Sequence, residues 1–297
     1  MELRRERALV LHGGGSAGNA WEIGVVAGLF DGGLDVAKAD LIVGTSAGST
    51  AAAQITSAAS TDLFAAILGA AAPPRAAQGE GARVPIGPMA GHLETTSRII
   101  ASADNAADMR RRLGAAALEM DANSDGSVQL QWRAVAASRL PSHHWPEQRL
   151  LITAVDAHTG EPAVFDRDSG IDLVDAVAAS TSIGFGIPPY RIGDKRYIDG
   201  GYRRNENADL AAGYARVLVL SPFGGRSRHP QEWGMQLAVQ VDELRAGGSS
   251  VETVFPDAES LKAFGDNMMD LSRRPLAAQA GYDQGRALAE RIAEFWH

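Results

Sequence analysis

The sequence predicts an α/β fold, a three-layer α/β/α sandwich with a central, mainly parallel sheet. Two strand–turn–helix units lie within the first 60 residues, and this alternation is typical of a parallel sheet with helices on its faces. Further apolar strands follow, and the chain closes in amphipathic helical sequence. The 297 residues show neither a repeat nor a linker. We therefore expect a single domain over 1–297, with a variable loop and helical region at about 69–147.

The elements are predicted in order from their hydrophobic spacing. The apolar run at 8–11 predicts the first strand, and Trp21, Val25 and Leu29 fall at the spacing of one helical face. A second strand at 41–43 leads through a turn into a helix up to about residue 59. The later predictions are a loop at 69–91, strands at 150–155, 196–198 and 216–220, and helices at 93–120, 172–180, 231–245, 258–271 and 275–296.

Composition excludes several classes of protein. The net charge is −8, from 28 basic and 36 acidic residues, whereas nucleic-acid binding needs clustered Lys and Arg. Without cysteine, disulfides, thiolate nucleophiles and cysteine-based zinc sites are excluded. The apolar run at 8–11 is too short for a signal peptide, and no run of about 18 apolar residues could span a membrane. A cytoplasmic location is therefore expected, while the oligomeric state is not indicated.

The stretch 44–48, GTSAG, places a serine between two glycines where a strand meets a helix. In a nucleophile elbow, such a turn holds Ser46 in a strained conformation with its hydroxyl exposed. The helix that follows also points its positive end at the serine. An ordinary tight turn with Ser46 as a helix N-cap has the same local pattern, so the stretch alone leaves both interpretations open.

The stretch 13–18, GGGSAG, is a second glycine-rich turn between a strand and a helix. It matches a dinucleotide fingerprint, but that site needs an acidic residue at the end of the second strand, and Asp35 and Asp40 precede that strand. Consecutive glycines can instead present backbone N–H groups to an oxyanion. They can also simply let a helix and a strand pack closely. Parallel neighbouring strands would place this turn beside Ser46.

A serine nucleophile needs a base. Asp199 ends a predicted strand and is followed by two glycines, and burial can raise the pKa of such a carboxylate until it accepts the serine proton. A turn aspartate that caps its own backbone is the alternative. Among the histidines, His229 comes nearest to the position that a Ser-His-Asp triad requires.

Together these stretches resemble the patatin-like phospholipase family. GGGSAG is similar to the oxyanion loop of that family, GTSAG to its nucleophile elbow and the DGG at 199–201 to its aspartate motif. The segments 150–165 and 176–202 also resemble those that precede the family's aspartate. Order and spacing agree from residue 13 to residue 201, which is far more specific than any one motif.

The resemblance implies a serine lipid acyl hydrolase of the phospholipase A, lysophospholipase or carboxylesterase type, with a patatin-like fold. Ser46 would be the nucleophile and Asp199 the base of a catalytic dyad, with neither cofactor nor metal. The partner would be a lipid or ester substrate, with peripheral contact to membranes. The residues it assigns to the oxyanion hole are Gly13, Gly14 and Gly15, and those that support the motifs are Gly18, Gly44, Gly48 and Gly200.

One position departs from the family. Ala17 stands in the glycine loop where the family often has Arg or Lys, which favours a neutral ester or a lysolipid over a phospholipid. Two alternatives stay open, a catalytically weak lipid-binding relative and a Ser-His-Asp α/β-hydrolase that uses His229. The stretch 121–126, DANSDG, begins like a calcium loop, but Trp132 stands at its twelfth position where a glutamate is needed.

Overall fold

The computed structural model describes residues 6–70, 89–122, 125–184 and 187–297. The strands are β1 (Arg7–Leu11), β2 (Leu41–Gly44), β3 (Arg149–Asp156), β4 (Pro162–Phe165), β5 (Tyr190–Ile192), β6 (Lys195–Asp199), β7 (Arg216–Leu220) and β8 (Ser250–Val254). The α-helices are α1 (Gly15–Asp31), α2 (Ala47–Ile55), α3 (Ser60–Gly69), α4 (Met89–Ser102), α5 (Ala106–Asp121), α6 (Ser127–Arg139), α7 (Leu173–Ser180), α8 (Leu237–Ala246), α9 (Ala258–Phe264) and α10 (Arg274–Trp296). Short 3-10 helices lie at Val36–Lys38, Gly200–Tyr202, Ala208–Ala211, Gln231–Trp233 and Leu271–Arg273.

The strands form one sheet in the order β5-β6-β3-β2-β1-β7-β8, and β4 pairs with β3 off this path. The neighbours from β3 through β2, β1 and β7 to β8 are parallel, whereas β4, β5 and β6 pair antiparallel. The two central strands pair with Leu11 opposite Gly44. Their C-terminal turns therefore lie side by side, as expected for the glycine loop and the serine turn.

Alternate residues of the central strands face two separate apolar cores, as the period of two in a strand requires. One core joins the sheet to α1, α2, α7 and α10, and its strand residues include Leu9, Leu11, Ile42, Leu218 and Leu220. The other joins the opposite face to α8 and the 3-10 helix Ala208–Ala211, and its strand residues include Ala8, Val10, Leu41, Val43, Val217 and Val219. The predicted three-layer sandwich with a mainly parallel sheet is confirmed.

The register of β3 determines where the ends of β2 and β6 lie. Ile152 pairs with Gly44 and also with Phe165 of β4, whereas Ala154 pairs with Asp199 and also with Ala163 of β4. Since β4 occupies one side of β3, both β2 and β6 lie along its other side. β2 runs parallel to β3 and β6 runs antiparallel, so their C-terminal ends meet beside β3.

Several predicted helices are interrupted where side chains or glycine compete with the helix. The predicted helix up to residue 59 ends at Ile55, where the hydroxyl of Thr56 bonds back to the carbonyl of Ala52. The predicted helix at 93–120 is two helices, because Asn105 accepts the N–H of Asp108 at 2.9 Å and starts α5 as its N-cap.

Glycine causes two further interruptions. The predicted helix at 231–245 is a 3-10 turn followed by α8, with Gly234 at a φ of 62° between them. The helix predicted at 258–271 ends at Phe264, where Gly265 has a φ of 64°. Helix α3 and strands β5 and β8 have no counterpart among the predictions, and α6 lies within the loop and helical region predicted at about 69–147. Within the described part of the chain, no helix is long and apolar enough to cross a membrane.

Candidate active site

Ser46 lies in a strained turn between β2 and α2. Its φ is 53°, a left-handed value that is uncommon for a residue with a side chain. The flanking glycines allow this close approach: a Cβ on Gly44 would lie 2.6 Å from the Cα of Ser49, and a Cβ on Gly48 would overlap the carbonyl of Leu11. Ser46 itself is half-buried. The turn thus holds its hydroxyl at the edge of the sheet, at the N-terminus of α2.

The hydroxyl of Ser46 donates a hydrogen bond to the carboxylate of Asp199. The distance from Oγ to Oδ2 is 2.6 Å, across 153 residues of sequence. The backbone N–H of Ser46 donates to Oγ of Ser180 at 2.9 Å. Ser180 ends α7 and is fully buried, so it anchors the strained turn from the side of the sheet that α7 covers.

Asp199 is 6% exposed and accepts two hydrogen bonds. Its Oδ1 accepts the N–H of Gly201 at 2.8 Å, which leaves Oδ2 for Ser46. Burial raises the pKa of Asp199 to about 6, although the hydrogen bonds from Ser46 and Gly201 oppose that rise. A carboxylate with this pKa is mostly ionised at neutral pH, yet it accepts a proton far more readily than an exposed aspartate.

The glycine loop lies against Ser46. A Cβ on Gly13 would be 2.9 Å from the Cβ of Ser46 and 3.3 Å from its Oγ, and a Cβ on Gly14 would be 2.6 Å from Pro222. Gly15 has a φ of 60°, and a Cβ there would be 2.7 Å from Sδ of Met269. Across the described residues, the N–H groups of these three glycines have no hydrogen-bond acceptor. Gly13 is thus the glycine that lies against the serine, and free N–H groups in such a loop are able to donate to an oxyanion.

The family of the chain follows from a match over the region that contains these turns. The model of the patatin-like phospholipase family, Patatin, matches residues 9–212, more than half of the chain. The protein belongs to the patatin-like phospholipase family. This membership confirms the resemblance seen in the sequence and indicates a lipid acyl hydrolase.

Two solved structures are similar to the chain at low identity. VipD from Legionella pneumophila is 13% identical, with a TM-score of 0.44 over 97% of this chain and 67% of that one. The type III effector protein ExoU is 17% identical, with a TM-score of 0.39 over 95% of this chain and 54% of that one. The chain therefore spans about half the length of ExoU. A comparison with curated proteins gives no significant sequence match.

The remaining motif residues of the patatin-like domain keep its turns compact. A Cβ on Gly18 would be 3.1 Å from Pro222, and a Cβ on Gly200 would overlap Thr153 of β3. Ala17 is fully buried, and its N–H donates to the carbonyl of Met268 at 2.9 Å. Position 17 therefore contributes no charge to the site.

The ring of His229 lies in a different set of hydrogen bonds. Its Nδ1 is 3.1 Å from Oδ1 of Asn205 and 3.2 Å from Oγ of Ser227. Burial, and secondarily the charge of Arg228, lowers the pKa of His229 to about 4. His12 precedes the glycine loop, and burial lowers its pKa to about 4 as well. Within the described chain Nδ1 of His12 has no hydrogen-bond partner. The group that accepts the hydrogen bond of the Ser46 hydroxyl is the carboxylate of Asp199.

Ser221 and Glu206 form a second pair of a serine and a carboxyl group. Ser221 follows β7 and donates to Oε1 of Glu206 at 2.8 Å, while it accepts the N–H of Gly225 at 3.0 Å. Both residues of the pair are fully buried. Burial raises the pKa of Glu206 to about 7, against the hydrogen bond from Ser221. The sequence did not indicate this pair.

Sequence reasoning also missed the polar residues that support the turns of Ser46 and Asp199. Ser180, Thr45, Thr153 and Asn207 are all fully buried and hydrogen-bonded around Ser46 and Asp199. Thr153 carried a usable signal, because its side chain is a hydroxyl within the apolar part of a strand.

The described residues contain no group of three or more His, Asp or Glu that could hold a metal ion. Asp121 of the calcium-like stretch pairs with Arg196 at 2.9 Å, while 123–124 and the 71–88 part of the loop predicted at 69–91 lie outside the described residues.

Proposed function

We propose that this protein hydrolyses the acyl ester of a lipid, with Ser46 as nucleophile and Asp199 as general base. The observation that carries the proposal is the 2.6 Å hydrogen bond from Oγ of Ser46 to the buried carboxylate of Asp199. A serine within hydrogen-bond reach of a base is the arrangement that nucleophilic catalysis needs.

In the first half-reaction, Oγ of Ser46 attacks the ester carbonyl carbon while its proton passes to Oδ2 of Asp199. The carbonyl oxygen becomes an oxyanion, and the N–H groups of Gly13, Gly14 and Gly15 donate to it. The positive end of α2 stabilises the same charge. Collapse of the tetrahedral intermediate breaks the ester C–O bond, and the leaving alcohol takes the proton from Asp199. An acyl ester on Ser46 remains.

Water completes the reaction in the second half. Asp199 accepts a proton from water as the water oxygen attacks the acyl carbonyl, and the glycine loop again holds the oxyanion. The proton then returns to Oγ of Ser46 as the fatty acid leaves. The raised pKa of Asp199 suits both directions of proton transfer, because the carboxyl must accept and release a proton in each half-reaction.

The substrate class follows from the family and from position 17. Family membership supports an acyl lipid, and the buried Ala17 supplies no cation for a phosphate group. We therefore place neutral esters and lysolipids ahead of diacyl phospholipids among the substrates. Peripheral contact with membranes and a cytoplasmic location stay predictions of the sequence.

Hydrolysis of a medium-chain p-nitrophenyl ester tests the proposal. Ser46→Ala is expected to lower kcat/KM by at least about 10³-fold, because the nucleophile is lost. Ser221→Ala is the matched control, since it removes the other serine hydroxyl that bonds a buried carboxyl, and it is expected to stay within a few-fold of wild type.

Other outcomes distinguish the alternatives. Activity that survives in Ser46→Ala contradicts the mechanism. Loss of activity in His229→Ala, with the fold intact, favours a triad. Wild-type protein that binds lipid vesicles but hydrolyses neither p-nitrophenyl esters, lysolipids nor phospholipids is a lipid-binding relative.

A further inference from the structure

Asn207 lies beneath the two proposed catalytic residues without contacting either side chain. It is fully buried, and it precedes the 3-10 helix Ala208–Ala211 with a φ of 57°. Asparagine is among the few residues with a side chain that adopt this left-handed conformation readily. Ser46 and Asn207 are the two non-glycine residues with positive φ in the described chain. Backbone strain of this kind is concentrated at functional sites.

The hydrogen bonds of Asn207 orient its amide group. Nδ2 donates to Oγ1 of Thr45 at 2.9 Å and to the carbonyl of Gly200 at 3.1 Å. Oδ1 accepts from Nη1 of Arg203 at 2.8 Å. A carbonyl can only accept and a guanidinium can only donate, so the opposite orientation of the amide would break two of these bonds. Nδ2 has two hydrogens, one for Oγ1 of Thr45 and one for the carbonyl of Gly200.

Arg203 is in turn held by Asp209. Its Nη1 and Nη2 donate to the two carboxylate oxygens of Asp209 at 2.9 and 2.7 Å. Such a two-pronged ion pair fixes direction as well as distance. Asp209 therefore fixes Arg203, and Arg203 fixes Oδ1 of Asn207. As a result, Nδ2 of Asn207 points at the turns of Ser46 and Asp199.

The two acceptors of Nδ2 belong to the two turns. Thr45 immediately precedes Ser46, and Gly200 immediately follows Asp199. β2 and β6 end facing each other beside β3, between Ile152 and Ala154. Thr153 lies at that junction, with its Oγ1 3.0 Å from Oγ1 of Thr45 and 3.3 Å from Nδ2 of Asn207. One amide thus joins the ends of two strands that approach from opposite directions.

We infer that Asn207 is a positioning residue, whose amide sets the separation of the serine turn from the aspartate turn. The inference rests on the proposed function of Ser46 and Asp199. Because Asn207 is fully buried, its loss should slow the chemical step without weakening substrate binding. A misplacement of about 1 Å at a reacting pair can cost about 10²-fold in rate.

Two variants remove the bridge in different ways. Asn207→Asp is nearly isosteric and tolerates the same backbone conformation, but a carboxyl group has at most one hydrogen to donate and cannot serve both Thr45 and Gly200. Asn207→Gly relieves the positive φ and removes the amide altogether. The matched control is Asn205→Asp, since Asn205 is also buried but bonds to Arg226, Ser227 and His229.

Steady-state hydrolysis of the p-nitrophenyl ester is measured per folded molecule, with folding checked by thermal unfolding. Both Asn207 variants are expected to lose about 10- to 100-fold in kcat with KM within about two-fold. A fluorophosphonate should phosphonylate Ser46 more slowly by a similar factor, with fluoride as the leaving group. Asn205→Asp is expected to match wild type in both assays.

The inference is overturned if either Asn207 variant, once folded, keeps the kcat of wild type, or if only KM changes. Its failure is distinct from that of the proposed function. An inactive Ser46→Ala beside fully active Asn207 variants removes the positioning role alone, whereas an active Ser46→Ala removes the proposed function itself.

Discussion

Two pairs of a serine and a buried carboxyl group lie at the carboxyl edge of this sheet. Ser46 follows β2 and donates to Asp199 at 2.6 Å, and Ser221 follows β7 and donates to Glu206 at 2.8 Å. Burial raises the pKa of both acids, to about 6 and about 7. By distance and pKa alone, either pair could be a nucleophile and its base.

The surroundings of the two serines differ. Ser46 is half-buried and strained at a φ of 53°. It lies against Gly13, in a loop whose three glycine N–H groups have no acceptor in the described chain. Ser221 is fully buried, and its Oγ already accepts the N–H of Gly225 at 3.0 Å. A substrate carbonyl needs access and oxyanion donors in addition to a nucleophile. Ser46 is partly exposed and lies against a loop with free N–H groups, whereas Ser221 and Glu206 are fully buried.

The largest difference in activity between the two pairs is expected when each carboxyl group is replaced by the corresponding amide. Asp199→Asn removes the proposed general base and is expected to lower kcat by about 10²- to 10⁴-fold. Glu206→Gln imitates the protonated form of a carboxyl whose pKa is about 7, and it is expected to leave kcat within a few-fold. Ester hydrolysis at pH 7.5 checks both, and equal losses would mean that the two pairs are not functionally different.

A methyl group on the glycine loop tests the oxyanion donors. The Cβ of Gly13→Ala would lie 2.9 Å from the Cβ of Ser46, so the loop or the serine must move. Loss of oxyanion donors costs about 10²- to 10³-fold in kcat, and we expect a decrease in this range. Gly69→Ala, where an added Cβ meets nothing within 4 Å, is the control. A Gly13→Ala enzyme with wild-type kcat would exclude the loop from catalysis.

The smallest expected effect is on stability, and here the two pairs should behave alike. The pKa of Asp199 rises from an ordinary 3.8 to about 6, and that of Glu206 from 4.5 to about 7. The folded state holds each proton more tightly than the unfolded chain, so this stabilisation is complete at low pH. It is lost as pH rises from about 4 to about 7.

In Asp199→Asn and Glu206→Gln the amide does not ionise, so the loss of stability at rising pH that its carboxyl causes in wild type is absent. Relative to wild type, the free energy of unfolding of each variant should therefore increase with pH, by up to about 3 kcal/mol between pH 4 and pH 8. Urea unfolding at several pH values measures it. A difference that stays constant with pH would show that neither carboxyl pays the cost of ionising in a buried site.

The parts of the fold that the sequence predicts are those with local causes. Apolar runs define the central strands, and glycines that permit a close approach mark the turns at Gly13, Ser46 and Asp199. The interruptions of the helices depend on weaker competition, such as the cap at Asn105 or the left-handed Gly265, which hydrophobic spacing does not reveal.

The supporting polar residues depend on partners far away in sequence. Ser180 bonds to Ser46 across 134 residues, and Asn207 bonds to Thr45 across 162. Nothing local distinguishes such a serine or asparagine from one in an ordinary turn. Ser221 and Glu206 were missed for the same reason. They are buried because β7 lies inside the sheet, between β1 and β8, and their local sequence does not reveal that position.

The proposed role of Ser46 is tested most directly by identifying which serine reacts. Wild-type protein is treated with a fluorophosphonate, digested and mapped by mass spectrometry, beside Asp199→Asn. The proposed mechanism predicts a single adduct on Ser46, which forms much more slowly in Asp199→Asn. An adduct on Ser221 instead of Ser46, or labelling of Ser46 at an unchanged rate without Asp199, would contradict it.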